Sequence, residues 1–281
     1  QALLGKVYLF QNKFDEAATV LEDVIQNGSY VLESDYNKIF EFAGENGTGA
    51  VFEVQYTDTE GAGFGCLQCS EGNVAVGFQG VRGYKGDLFT SGFSFNVPTQ
   101  EMVDQFETGD NRKAVAILDI DAWATTTGAE FTTGYEHTGF YNRKYIPRKR
   151  SANAAGDLNL TNPNNYRAIR YADVLLMAAE AFNKMTTPND GKARAYLNLV
   201  RARAFGNTSN NIASSGQALT NAIYHERRVE LIGEGHHFFD LVRTGRGNNI
   251  PGFTVGKHEV FPIPLEEIQF SQGNWGQNTG Y

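Results

Sequence analysis

The stretch Ile169-Arg170-Tyr171-Ala172-Asp173-Val174-Leu175-Leu176-Met177-Ala178-Ala179-Glu180-Ala181-Phe182 decides the fold. Ile169, Ala172, Leu176, Ala179 and Phe182 recur at spacings of three and four, which lays one apolar stripe along an α-helix. Helical periodicity begins at Tyr166, and Pro188 and Gly191 then break the chain. A partner helix follows through Ala193, Tyr196, Leu197, Val200 and Ala204 and ends near Gly206. Residues 166–206 therefore read as an antiparallel helical hairpin. A third helix is expected from Leu219 to Ile232, stopped by Gly233, with a short one through Phe239 and Val242.

The start of the chain repeats this theme. Leu4-Gly5-x2-Tyr8 and Ala17-x3-Leu21 match the two halves of a tetratricopeptide repeat at the right separation. Small residues at Gly5 and Ala17 let two helices approach, and Tyr8 and Leu21 fill the space between them. Asn12-Lys13 supplies the turn. In this register Gln1 falls on the repeat's tryptophan position, inside the first helix, so further chain is expected upstream.

Between the hairpins the pattern changes. Ala50 to Tyr56 is β-branched and aromatic and reads as one short strand. Glycines and isolated aromatics surround it, and a second irregular stretch rich in Thr, Gly and Asn runs from Asp119 to about Asn165. A short helix capped by Thr99 is expected between them, up to Phe106. The chain thus reads as mostly α: tetratricopeptide-like helical hairpins with long loop-rich insertions and a minor β element. It is expected to be a single domain over 1–281 that lacks its N-terminal part. Within it lie a hairpin at 1–28, a loop-rich region at 29–165, a helical region at 166–243 and a coil tail at 244–281.

Composition narrows the function. Of 281 residues, 41% are hydrophobic and 20% charged, an ordinary globular balance. A net charge of −8 argues against nucleic acid, which demands basic surfaces. The clusters Arg143-Lys144 and Arg148-Lys149-Arg150 read as solvated surface. No apolar run approaches the ~20 residues of a membrane-spanning helix. Cys66 and Cys69 sit among glycines, unlike a redox CxxC at a helix start, and one such pair cannot supply four zinc ligands. A local disulfide and two free thiols are equally consistent with the spacing.

Several signatures resemble one family. Arg170 followed by Ala172-Asp173-Val174-Leu175-Leu176 and Ala179-Glu180-Ala181 is similar to the "R-x-A-D-V-L-L-x-x-A-E-A" helix of SusD/RagB proteins. Glu226-Arg227-Arg228-x-Glu230-Leu231-x-x-Glu234-Gly235 matches their "E-R-R-x-E-L-x-x-E-G" helix, continued by Phe239-Asp240-Leu241-x-Arg243-x-Gly245. Pro262-Ile263-Pro264, Glu267-Ile268 and Gln277-Asn278-Thr279-Gly280-Tyr281 resemble the family's C-terminus. Ser91 to Arg112, with Pro98-Thr99 and Gly109-Asp110-x-Arg112, fits its middle region. The chain departs from the pattern at His236-His237, where an arginine is common, and at Thr279, where proline is. The resemblance covers essentially the whole chain and matches the C-terminal half to two-thirds of such proteins. It implies an outer-membrane lipoprotein of Bacteroidetes, held at the cell surface by a lipid anchor outside this chain. Such a protein binds oligosaccharides or polysaccharides and passes them to a SusC-like TonB-dependent transporter. Peptide-binding members form the alternative.

Candidate sites were weighed against packing. Glu226, Arg227, Arg228, Glu230 and Glu234 lie at helical spacings and read as a structural ion-pair network. His236-His237 lacks the His-Glu-x-x-His spacing of a zinc enzyme. Asp119, Asp121, Glu130 and Glu136 are candidates for a glycosidase pair, but nothing in the sequence brings two of them together. No catalytic residue, metal or cofactor is expected. Loop aromatics remain, because sugar rings stack their C–H faces on aromatic side chains. Trp123 is the main candidate platform, with Tyr84 and Phe78 secondary and the Asn73 amide available to hydroxyls. For Phe64, Phe78 and Tyr84 taken singly, packing is the first reading.

Overall fold

The structure, a computed structural model, describes every residue except 62, 67, 68, 135 and 152. The chain divides into two compact units, Gln1–Glu234 and Gly235–Tyr281. In chain order the first unit contains α1 (Ala2–Phe10), α2 (Phe14–Asn27), β1 (Ala50–Val54), α3 (Val74–Gln79), α4 (Gln100–Val103), α5 (Lys113–Ala116), β2 (Ile117–Asp119), α6 (Ile120–Thr127), β3 (Phe140–Asn142), β4 (Tyr166–Arg170), α7 (Tyr171–Lys184), α8 (Asp190–Phe205) and α9 (Gly216–Glu230). The second contains α10 (His237–Arg243) and α11 (Leu265–Phe270).

Both expected hairpins form. A Cβ on Gly5 would lie 2.5 Å from the Leu21 side chain, so glycine is what lets α1 and α2 close. Asn12, at φ 57°, makes the turn between them, a left-handed conformation that asparagine tolerates better than most residues. The apolar stripe of α7 is wider than its periodicity indicates. The helix is buried from Tyr171 to Asn183, because α2, α8 and α9 all pack on it. Leu21, Leu175, Leu176, Leu197, Val200 and Ile223 meet in this core, and each large aliphatic side chain buried there stabilises the fold by about 1.5–3 kcal/mol.

Two local expectations change. Tyr166–Arg170 is a strand, not the first turn of a helix: β4 pairs antiparallel with β1, Val54 opposite Tyr166 and Ala50 opposite Arg170. Long-range pairing overrides local periodicity here, and the helix starts at Tyr171. Likewise Ile120–Thr127 is helical within a stretch that reads as irregular. Asp119 caps α6 by accepting from the Ala122 N–H at 3.0 Å, and Gly128 ends it at φ 72°. Thr125, Thr126 and Thr127 each donate a hydroxyl hydrogen bond to the carbonyl four residues earlier, which lets a β-branched run sit in a helix.

The basic clusters also differ from their reading as solvated surface. Lys144 is fully buried, its Nζ 2.7 Å from Glu234 Oε1. Arg148 is buried too and grips Glu41 through Nε and Nη2. Lys144 also donates to the Glu230 carbonyl at 2.9 Å and so joins the charge layer along α9. Arg112 Nη1 reaches Glu226 at 2.6 Å and Glu230 at 2.9 Å. Arg170 and Arg203 converge on Glu230 Oε1 at 2.8 and 2.7 Å, and Arg201 reaches Glu226 at 2.7 Å. Burial opposes the Glu230 charge, but Arg203, Arg170 and Arg112 outweigh it and hold its carboxyl well below the usual range. The network anticipated on one helix is therefore a three-dimensional one, with its cations supplied from across the first unit.

In the second unit Phe238 packs on Phe253 and Phe261. Gln277 exchanges two hydrogen bonds with the Ile263 backbone, both 2.8 Å. The Tyr281 hydroxyl donates to the Val260 carbonyl at 2.9 Å, so the C-terminal motif closes the tail on itself. That tail also carries a short helix, α11, where coil was expected.

Candidate functional site

The first irregular stretch is mounted on α3. Glycines make this possible: a Cβ on Gly77 would lie 1.7 Å from the Asn159 carbonyl oxygen, and one on Gly92 would lie 2.4 Å from the Gly80 Cα. The segment after Gly92 then lies directly against α3, with the Phe93 N–H donating to Gly77 O at 3.1 Å and the Phe95 N–H to Phe78 O at 2.9 Å. Ser94 and Asn96, at φ 59° and 55°, straddle Phe95. Left-handed backbone at non-glycine residues costs about 1–3 kcal/mol each and tends to collect at functional sites.

The four candidate residues occupy different environments. Trp123, on α6, is half-buried, with its ring 5.5 Å from Phe89 and the Arg143 guanidinium 5.5 Å over it. Its indole N–H donates to the Tyr84 hydroxyl at 3.0 Å. Tyr84 itself is buried beside Phe89. Asn73 is buried as well, donating its amide to the Asn164 carbonyl at 3.0 Å. Phe78 is half-buried among Phe93 and Phe95. The fold thus brings Trp123 and Tyr84 together and places Phe78 in a separate aromatic group.

Of that second group the sequence singles out Phe78 as a candidate and Phe64 as a packing residue, and it does not single out Phe93 or Phe95. Phe64 and Phe95 are 60% and 56% exposed, and Phe78, Phe93 and Phe95 lie with ring centroids 5.6–6.2 Å apart. Phe64 meets Phe93 edge-on at 6.3 Å. No spacing announces this group, because Ser94 at φ 59° breaks the extended backbone that an alternation Phe93-Ser94-Phe95 would need to set two rings on one side. The two cysteines close to Phe64 are joined as a disulfide, Cys66 to Cys69.

Two of the acidic candidates are committed to other roles. Asp119 is occupied as the cap of α6. Glu130 pairs with Lys85 at 2.7 Å on the open surface, and that hydrogen bond holds its carboxyl below the usual range. Among the described residues no group of three or more His, Cys, Asp or Glu side chains is placed to hold a metal ion, and no helix is long and apolar enough to cross a membrane.

Known proteins resemble this chain in sequence and fold. The SusD family's sequence model matches residues 118–257. SusD-like protein P2 of Formosa agariphila is 28% identical across the whole chain, which covers 58% of that relative. Among solved structures, a laminarin binding SusD-like protein is 36% identical with a TM-score of 0.84, covering 100% of this chain and 61% of its own. Surface glycan-binding protein A from Bacteroides thetaiotaomicron, in complex with laminarihexaose, is 25% identical with a TM-score of 0.79, covering 98% of this chain and 62% of its own. The chain therefore spans less than two-thirds of the length of each of these relatives. With the buried α9 charge network, the α7 motif and the helical hairpins all in place, the chain belongs to the SusD/RagB family.

Proposed function

We propose that this chain carries the ligand surface of a lipid-anchored outer-membrane protein. That protein captures oligosaccharides or polysaccharides at the cell surface and hands them to a SusC-like TonB-dependent transporter. The ligand surface is formed by the stretches 57–95 and 119–145. The role is binding, not catalysis. The observation that carries this reading is the aromatic character of loops mounted on a rigid helical frame, in a chain 36% identical to a laminarin binding relative. A β-1,3-glucan of the laminarin type is accordingly the first ligand to test.

Trp123 is the proposed stacking platform. Arg143 and Phe89 fix its ring, so little conformational freedom is lost when a sugar settles on the exposed part. Tyr84 orients the indole from beneath through its hydroxyl. Asn73 shapes the neighbouring loop from within, and Phe78 lends apolar surface. On an open platform each stacking contact contributes roughly 1 kcal/mol. Dissociation constants in the micromolar to millimolar range, about −8 to −4 kcal/mol, are expected.

Calorimetric titration of the full-length protein with laminarihexaose, cellohexaose, maltohexaose and a set of unrelated oligopeptides tests this. Binding of at least one hexasaccharide is expected, with Trp123→Ala weakening it roughly 3- to 10-fold, the worth of one stacking contact. Binding of peptides alone moves the protein to the peptide-handling members of its family. Hexasaccharide binding indifferent to Trp123→Ala makes Trp123 a packing residue.

A further inference from the structure

We propose that Phe64, Phe78, Phe93 and Phe95 form a second glycan subsite that takes the apolar faces of a neutral hexopyranosyl chain. This rests on the glycan-binding reading above and deepens it by adding a contact surface separate from Trp123 and a charge class for the ligand. Three independent observations support it.

The first is exposure with order. Phe64 and Phe95 leave more than half their surface in solvent, while Phe78, Phe93 and Phe95 pack against one another with centroids 5.6–6.2 Å apart and Phe64 meets Phe93 edge-on. The cluster so formed holds exposed ring surface in place, on which the apolar face of a sugar can settle. The second is mounting. Ser94 and Asn96 are both held in the left-handed region on either side of Phe95, and Arg82 donates to the Phe93 carbonyl at 2.9 Å. Exposed rings held this firmly, at a cost in backbone strain, are preorganised for a partner.

The third is charge. Residues 61–79 and 89–98 together carry a single charged side chain, Glu71. Beside the rings stand neutral amides: Asn96, exposed, and Gln79, which accepts from Asn142 at 2.8 Å. Amides bond sugar hydroxyls, and the exposed Arg82 guanidinium beside the rings is engaged with the Phe93 carbonyl, which leaves an acidic polysaccharide little counter-charge. The segment that carries Phe93 and Phe95 is tied to the second loop stretch, because Ser94 Oγ lies 3.2 Å from the Tyr141 hydroxyl, whose ring packs on His137.

The test uses the full-length protein and whichever of laminarihexaose, cellohexaose or maltohexaose it binds best. Phe95→Ala and Phe64→Ala are titrated beside the parent, with Phe95→Tyr as the variant that keeps a ring. Matched circular dichroism and thermal midpoints establish that each is folded. Phe95→Ala is expected to weaken the hexasaccharide roughly 3- to 10-fold, on the scale of one stacking contact, and Phe95→Tyr to restore it. If the parent binds a hexasaccharide and Trp123→Ala weakens it, but both alanine variants stay within about twofold of the parent, the subsite is refuted and the glycan reading stands. Such a result, joined to loss of transporter co-purification by the same variants, makes the rings a protein-docking patch. If the parent binds none of the three sugars, the glycan reading itself falls and this subsite falls with it.

Discussion

The helical frame and the loop region carried between β1 and β4 treat their difficult side chains in opposite ways. The frame hides charge: Glu226, Glu230 and Arg170 are buried together with Arg112, which the loop region lends, and they satisfy one another. The loop region exposes apolar rings: Phe64 and Phe95 stand mostly in water beside amides. Buried charge is tolerable only where geometry is fixed, since an ion removed from water must find its partners in place. Exposed rings have no such demand on the fold and are free to serve a ligand. Buried charge therefore stabilises the first region, and the proposed recognition falls to the second.

That contrast can be broken most severely at Glu230. Glu230→Ala removes the acceptor shared by Arg112, Arg170 and Arg203 and leaves their charges short of a partner. A loss of about 3–5 kcal/mol is expected in denaturant unfolding, the range for breaking a buried ion pair.

Acid acts on the same group with its side chain left in place. The Glu230 carboxyl lies well below its ordinary value of 4.5 in the folded chain. Its stabilising contribution is therefore complete above about pH 4.5 and is lost as pH falls from there toward the folded value. Thermal midpoints should hold steady near pH 6 and drop below pH 4.5, and Glu230→Gln should flatten that drop. Lys144 gives a weaker dependence on the alkaline side. Burial pushes its ammonium down to about 8. Between there and the ordinary value of 10.5, the unfolded chain holds a proton that the folded chain has released. This group alone makes stability rise with pH across that window.

The smallest effect is expected in the loop region. Asp119→Ala removes the cap of α6 and should cost about 1 kcal/mol. Because α6 carries Trp123, a fluorescence-detected melt should show that change, and hexasaccharide affinity should fall by a similar or smaller factor. A larger stability loss there than at Glu230 would overturn the division between frame and recognition surface.

The frame was legible in the sequence because its rules are local. Leu176, Ala179 and Phe182 announce a helix by spacing alone, and Gly5 and Ala17 announce a close approach. The charge network was legible only in half. Spacing places Glu226 and Glu230 on neighbouring turns, but their partners Arg112, Arg170 and Arg203 come from far along the chain, and the basic pair Arg143-Lys144 by itself reads as surface. The recognition surface was harder still. Neither spacing nor composition shows that Tyr84 is buried and Phe95 exposed, because a loop's burial depends on what it lies against. Trp123 read as a loop residue because the threonine run after it masks α6, whose cap and back-bonded hydroxyls override weak propensity.

The pairing of Val54 with Tyr166 has a consequence for how such a protein changes over generations. The chain leaves the frame at β1 and returns to it at β4, so the long excursion between them departs and arrives at one doorway. Closing a loop whose ends already meet costs only about 0.6 kcal/mol more for each doubling of its length. Insertions and deletions along the excursion, away from the charged side chains it lends to the frame and from Val103, Phe106, Ala116 and Ile117, which pack with Val229 and Ile232, therefore cost the helices little. The exposed loops of the excursion can be rewritten in length and composition while the same doorway, and the hairpins behind it, stay as they are.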